Sequence, residues 1–164
     1  EQEGTYSLPE AQLDRFIFRI RVPYPSLEEE RNILKRFKND FEGVSSSDVR
    51  SVISIPQLKA VKATIEKVFI KDELIDYISA VIHNTRNNAD LFLGASPRAS
   101  LSILRASKAL AAMRGRGFVT PDDIKAVAIP VLNHRLILSH EREMEGITVS
   151  EVIHQILEKI EIPR

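Results

Sequence analysis

One alternating segment near the start of the chain constrains the fold more than any other feature. Between residues 17 and 22 apolar and charged side chains alternate, which is typical of a β-strand with one buried face. With the preceding Phe16, the apolar side chains Phe18, Ile20 and Val22 fall on one face, and Arg19 and Arg21 fall on the other. A single strand leaves its backbone N–H and C=O groups unpaired, and the rest of the sequence has helical patterns. We therefore expect a strand whose sheet lies outside these residues, in a chain that is the C-terminal part of a larger protein.

Composition narrows the class of protein. The 164 residues are 43% hydrophobic and 28% charged, which is enough for one ordinary domain with a real core. Lys plus Arg and Asp plus Glu both number 23, and this zero net charge argues against a general nucleic-acid binder. The absence of cysteine excludes disulfides and thiolate chemistry and fits a reducing compartment, so we expect a cytoplasmic protein.

Helical periodicity predicts five or six helices around a common core after the strand. Capping boxes at Ser26 and Thr148 mark two helix starts, and a cap residue followed by proline marks two more, at Ser96 and Thr120. Residues 39–51 are polar and predict a loop. The predicted fold class is mainly α, a helical bundle with one N-terminal strand.

The start of the long Ala-rich helix is the first candidate site. Ser96 suits the helix cap and Pro97 the first helical position, which puts Arg98 in the first turn. The helix dipole is unfavourable for a cation there, whereas the same helix end attracts anions. Arg98 either reaches a phosphate or is an exposed arginine paired with a nearby carboxylate, and the motif alone favours the pair.

Arg15 is the second candidate. A short helix is predicted to begin at Pro9, and Arg15 lies at its end, just before the predicted strand. A cation near a helix C-terminus is electrostatically ordinary. The functional interpretation is an arginine offered to the nucleotide of a neighbouring subunit, where it stabilises transition-state charge.

Four segments resemble a known family. Residues 1–16 resemble the segment after the sensor-1 asparagine in the MoxR family of AAA+ ATPases, and 94–99 resemble its sensor-2 motif; 118–124 and 131–136 resemble parts of its lid. The resemblance runs from 1 to 164, with the four motifs in order. It implies a remnant of the AAA+ core over 1–24 and a helical lid domain over 25–164.

The resemblance also implies roles for the candidate residues and a function for the parent protein. Arg98 becomes the sensor-2 arginine, with Ser96 and Pro97 beside the nucleotide, and Arg15 becomes an arginine finger acting in trans. The parent would bind ATP and Mg²⁺ at the interfaces of a ring, usually a hexamer. It would use hydrolysis to remodel or mature client proteins, often with a von Willebrand factor A domain protein as partner.

The departures from the family pattern define what the chain lacks. It contains no Gly-x-x-x-x-Gly-Lys-Ser/Thr loop and no hydrophobic strand ending in an acidic pair for magnesium, and the sensor-1 asparagine would precede Glu1. We therefore expect that these 164 residues alone neither hydrolyse ATP nor bind it tightly.

Two other interpretations remain open at this stage. The chain could be a stand-alone helical module that binds nucleic acid through Arg98, Arg105 and Lys108, or one that presents the 39–51 loop to a protein. We expect no metal site, because residues 140–144 begin like a zinc-protease helix but lack the second histidine.

Overall fold

The computed structural model describes residues 8–39 and 49–162. Within these ranges the chain is mainly helical, as predicted, with eight helices and two short strands. Seven of these helices follow residues 17–22, where five or six were expected, and the additional ones include the short helix α7. In chain order these are α1 Glu10–Leu13, α2 Leu27–Phe37, α3 Ile55–Glu66, α4 Asp72–Arg86, β1 Leu91–Leu93, α5 Pro97–Met113, α6 Pro121–Leu132, β2 Ile137–Leu138, α7 His140–Met144 and α8 Val149–Lys159. None of the described helices is long and apolar enough to cross a membrane. Of the loop predicted over 39–51, residues 40–48 lie outside the described ranges.

The described residues divide into two compact units. One unit comprises 20–62 and contains α2 and most of α3. The larger unit comprises 8–19 together with 63–162 and contains the other elements and the site described below. The division into 1–24 and 25–164 that the resemblance implies stays a prediction.

Four helices build the core of the larger unit. Helix α5 packs against α4 and α6, and α8 packs against both α4 and α6. The core side chains follow the helical spacing of the sequence. In α4, for example, the helical spacing of Leu74, Ile75, Ile78, Val81 and Ile82 predicts one buried face, and all of these except Ile75 are buried.

Residues 17–22 do not form a strand in the structure. Their alternation is real, but a strand also needs a ladder of hydrogen bonds to a neighbour, and no such ladder involves them among the described residues. The Arg19 N–H donates to the carbonyl oxygen of Pro130 at 3.0 Å. The described strands lie elsewhere, and β1 and β2 pair antiparallel.

The predicted start of α2 is confirmed, but its buried face is not. Ser26 and Glu29 form the expected capping box. The helical spacing of Ile33, Leu34 and Phe37 predicts a buried stripe, yet no residue of α2 or α3 is buried.

A buried carboxylate fixes the turn between α5 and α6. Asp123 accepts hydrogen bonds from both terminal nitrogens of Arg116 at 2.7 Å, from Arg114 at 2.9 Å, and from the N–H of Thr120 at 2.9 Å. Burial opposes the charged carboxylate, but the Arg116 and Thr120 hydrogen bonds outweigh it and lower the pKa of Asp123 to about 2. Asp123 is therefore ionised at neutral pH, and it connects the residues that follow α5 to the first turn of α6.

Gly94, between β1 and α5, allows a test of how closely this segment packs against the end of α4. A Cβ atom at this position would lie 2.6 Å from the carbonyl oxygen of Thr85 and 2.7 Å from the Cα of Arg86. Because backbone atoms must shift to accommodate it, Gly94→Ala should lower the free energy of unfolding in urea by about 1–3 kcal/mol. Gly117→Ala is the matched control, since a Cβ there has no atom within 4 Å. Equal stability of the two variants would contradict the close approach.

Candidate functional site

The start of α5 is positioned by the end of α4. The buried hydroxyl of Thr85 accepts a hydrogen bond from the N–H of Ala95 at 3.0 Å, and Arg86 Nε donates to the Ala95 carbonyl oxygen at 2.8 Å. Ser96 then caps α5, with its Oγ accepting from the N–H of Arg98 at 3.2 Å. The predicted cap and first-turn arginine are thus present and held by two side chains of α4.

Arg98 is paired with a carboxylate and still accessible. Its Nη1 lies 3.2 Å from Oδ2 of Asp14, and its side chain is 57% exposed. Of the two interpretations that the motif left open, the ion pair is the one the structure contains. Because the Arg98 side chain is mostly in water, solvent screens its end of the pair, and Arg98 can exchange Asp14 for another anion.

Asp14 is the centre of the site, although its position in the sequence did not indicate a functional role. Its carboxylate accepts from Ser96 Oγ at 2.8 and 2.9 Å, from Arg98, and from Arg135 Nε at 3.1 Å, while 15% of the side chain is exposed. Burial tends to raise the pKa of Asp14, but the hydrogen bonds from Ser96, Arg98 and Arg135 outweigh it and lower that pKa. The available signal was its place next to Arg15 in a motif already selected.

Arg135 is the second residue that the sequence analysis did not select individually, although it lies in one of the lid-like motifs. Its side chain is only 2% exposed. Nη2 donates to the carbonyl oxygens of Asp14 at 3.0 Å and Phe16 at 2.6 Å, and Nη1 donates to those of Ile17 at 3.2 Å and Val131. One guanidinium therefore fastens the segment after α1 to the end of α6.

His134 completes this attachment. Its Nε2 lies 2.9 Å from the carbonyl oxygen of Phe16, so Nε2 carries the proton in this hydrogen bond. Burial lowers the pKa of His134, and the hydrogen bond to Phe16 only partly offsets this. His134 is therefore neutral at neutral pH, and it adds a second tie to the segment after α1.

Arg15 lies between anchored neighbours, but its own side chain is exposed. Its N–H donates to the Gln12 carbonyl oxygen at 3.1 Å, and in the described part of the chain its guanidinium forms no ion pair. The structure thus links Arg15 to Arg98 indirectly, since Asp14 precedes Arg15 in sequence and binds Arg98.

A small groove lies beside this network. It has a volume of about 230 Å³, and its lining includes polar groups of the site together with residues of β1 and β2. Its lining residues are Glu10, Ala11, Asp14, Leu93, Gly94, Ser96, His134, Arg135 and Ile137. Residues 8–39 and 49–162 contain no group of three His, Asp or Glu side chains that could hold a metal ion.

The basic face considered for nucleic-acid binding has internal partners. Lys108 Nζ donates to the carbonyl oxygen of Glu66 at 2.9 Å, and Arg98 binds Asp14. A surface that binds the phosphate backbone offers several unpaired cations in a row. Two of the three cations on this face already have a partner within the chain.

Comparison with known proteins assigns the class of the domain first. Residues 83–156, from the end of α4 into α8, match the family described as AAA lid domain. The crystal structure of a candidate ATPase from Cytophaga hutchinsonii has the same fold, with a TM-score of 0.87 and 37% identity. That match covers 100% of this chain and 52% of the other.

Two curated relatives assign the family. Chaperone MoxR1 of Mycobacterium tuberculosis is 38% identical over 100% of this chain and 45% of its own length. The uncharacterized protein YeaC of Bacillus subtilis is 34% identical over 99% of this chain and 50% of its own length. The chain belongs to the MoxR family of AAA+ proteins and contains its lid domain. It spans about half the length of the curated relatives it matches.

The attachment made by Arg135 can be tested by an uncharged side chain of similar length. Arg135→Met leaves the Asp14 carboxylate and several carbonyl oxygens without their buried donor, so we expect the free energy of unfolding to fall by about 3 kcal/mol. Urea denaturation monitored by circular dichroism measures this change. Arg105→Met, at an exposed position on α5, should change stability by less than about 0.5 kcal/mol. A small loss for Arg135→Met would show that the guanidinium contacts contribute little.

Proposed function

We propose that this chain is the nucleotide-sensing part of a MoxR-type ATPase that couples ATP binding and hydrolysis to the remodelling or maturation of client proteins. The observation that carries the proposal is Arg98, more than half exposed in the first turn of a capped helix. An exposed guanidinium beside helical N–H groups suits a phosphate, which it can bind through two nitrogens. The membership of the chain in an AAA+ family supports the same assignment.

Arg98 acts in this proposal as the sensor-2 residue, with Ser96 and Pro97 forming the helix start beside the nucleotide. The guanidinium leaves Asp14 and binds a phosphate oxygen, while Ser96 keeps α5 capped. ATP supplies the phosphoanhydride bond whose hydrolysis drives the cycle. Magnesium and the triphosphate chain are held mainly by residues outside these 164, because the sequence contains no phosphate-binding loop.

Arg15 acts as the arginine finger of a neighbouring subunit's site. The support is its exposed guanidinium on a backbone held by Arg135 on both sides. Such a residue stabilises the charge that develops on the transferred phosphoryl group. A finger that works in trans requires a homo-oligomeric ring, which we propose to be a hexamer.

The proposed action on client proteins is supported by the similarity of the chain to MoxR proteins. The Mycobacterium tuberculosis relative is named a chaperone. We extend that role to this protein, and we propose a von Willebrand factor A domain protein as its partner on the family resemblance alone.

Substitution of Arg15 and substitution of Arg98 should have different effects on the kinetics of the full-length protein. Arg15→Ala should lower kcat about a thousandfold with little change in nucleotide affinity, because the lost contact forms in the transition state. Arg98→Ala should lower both turnover and the affinity for ATP. Arg105→Ala is the matched control on the same helix and should keep wild-type values. Wild-type turnover in the Arg15 or the Arg98 variant would refute the role of that residue.

The 164 residues alone should show neither ATP hydrolysis nor tight ATP binding. They carry the arginines that respond to a nucleotide but no loop that cradles its phosphates. Isothermal titration calorimetry with ATP and magnesium measures this, with the full-length protein as the positive control. Saturable binding to the 164 residues at micromolar ATP would overturn the prediction.

A further inference from the structure

We propose that Asp14 is a positioning residue that competes with the nucleotide phosphate for Arg98. The proposal rests on the proposed function, since it assumes that Arg98 binds a phosphate. It adds a role for a carboxylate: Asp14 holds the sensing arginine between turnovers and weakens the binding of nucleotide.

The Asp14 carboxylate lies at the start of α5. Its oxygens accept from the hydroxyl of Ser96, the residue that caps α5, and from Nη1 of Arg98 in the first turn of that helix. The carboxylate therefore sits against the same helix end and guanidinium that a phosphate would use. An internal anion already neutralises the site that an external anion must enter.

Asp14 is held more firmly by Arg135 than by Arg98. Arg135 is almost fully buried and binds both the Asp14 carboxylate and the Asp14 carbonyl oxygen. Arg98 contributes one nitrogen at 3.2 Å from a side chain that is mostly exposed. Arg98 can therefore leave while Ser96 and Arg135 keep the carboxylate in place.

This asymmetry predicts how the pair behaves during a catalytic cycle. Arg98 makes one hydrogen bond to Asp14 from a mostly exposed side chain, whereas a phosphate carries more charge than a carboxylate and can accept two guanidinium hydrogen bonds. A bound nucleotide therefore displaces Asp14 as the partner of Arg98. Because Asp14 stays in place, it can rebind Arg98 as the product leaves, which shortens the lifetime of the nucleotide-bound state.

A double-mutant cycle in the full-length protein tests the competition. The dissociation constants of ADP and of a non-hydrolysable ATP analogue are measured for wild type, Asp14→Asn, Arg98→Ala and the double variant. Asparagine has the size of aspartate and keeps an oxygen to accept from Ser96 or Arg135, so the fold should be retained. Asp14→Asn should tighten binding of the analogue two- to fivefold, and the same substitution on the Arg98→Ala background should change nothing.

Two control variants separate competition from a general charge effect. Asp76→Asn removes an exposed carboxylate on α4, away from the network, and should leave both dissociation constants unchanged. Asp14→Glu keeps the charge and should keep the weaker, wild-type affinity. Tightening in Asp76→Asn equal to that in Asp14→Asn would show that net charge alone is responsible and would overturn the proposal.

The outcomes distinguish this inference from the proposed function. If Arg98→Ala leaves nucleotide affinity and turnover unchanged, the proposed role of Arg98 fails. If Arg98→Ala weakens binding but Asp14→Asn does not tighten it, only the competition fails. If Asp14→Asn tightens binding equally without Arg98, Asp14 acts by another route and the inference is wrong.

A structural measurement on the wild-type protein tests the same idea without any substitution. In crystals grown without nucleotide, Arg98 should lie within hydrogen-bond distance of Asp14. In crystals of the complex with the ATP analogue, that contact should be broken while Asp14 stays bound to Arg135. An intact contact between Asp14 and Arg98 in the complex would overturn the proposal even if the Asp14→Asn protein could not be folded.

Discussion

The hydrogen bonds of the Arg135 guanidinium are the interaction on which the site depends. This buried cation binds four acceptors of the segment after α1: the Asp14 carboxylate and the backbone carbonyl oxygens of Asp14, Phe16 and Ile17. A planar guanidinium presents five donors in fixed directions, so it can satisfy several acceptors that a lysine could not. Through these bonds a segment without regular secondary structure acquires a defined place against α5 and α6.

The segment that Arg135 holds in place lies beside two arginines that differ in their contacts. Arg98 is held by a carboxylate that is itself held more firmly by Arg135, and Arg15 follows that carboxylate with its own side chain exposed. A rigid backbone with a replaceable ion pair is a suitable arrangement for sensing an anion, because binding rearranges one side chain and leaves the scaffold unchanged. The packed helices α4 to α6 thus hold the surroundings of Arg98, whose own side chain remains mostly exposed.

Several features could be predicted from local sequence because their physics is local. The caps at Ser26, Ser96 and Thr148 depend on a side chain reaching a backbone N–H two or three residues away. The buried stripes of the core helices follow from the helical repeat. The alternation over 17–22 was equally clear, but a strand needs a neighbour, and the described residues place none beside it. Alternation indicates that a segment can form a strand, but hydrogen bonding to a neighbouring strand decides whether it does.

The amino-acid sequence by itself determined the helical class, the helix starts, the family and the two arginines that the family pattern selects. Only the tertiary structure decided that Asp14 binds Arg98, since 84 positions of sequence separate them, and that Arg135 holds the carbonyl groups of a segment 118 to 121 positions away. Such contacts depend on how α1, α5 and α6 come together. No spacing rule relates residues so far apart, because their meeting is a property of the packed core and of the buried groups that must find partners within it.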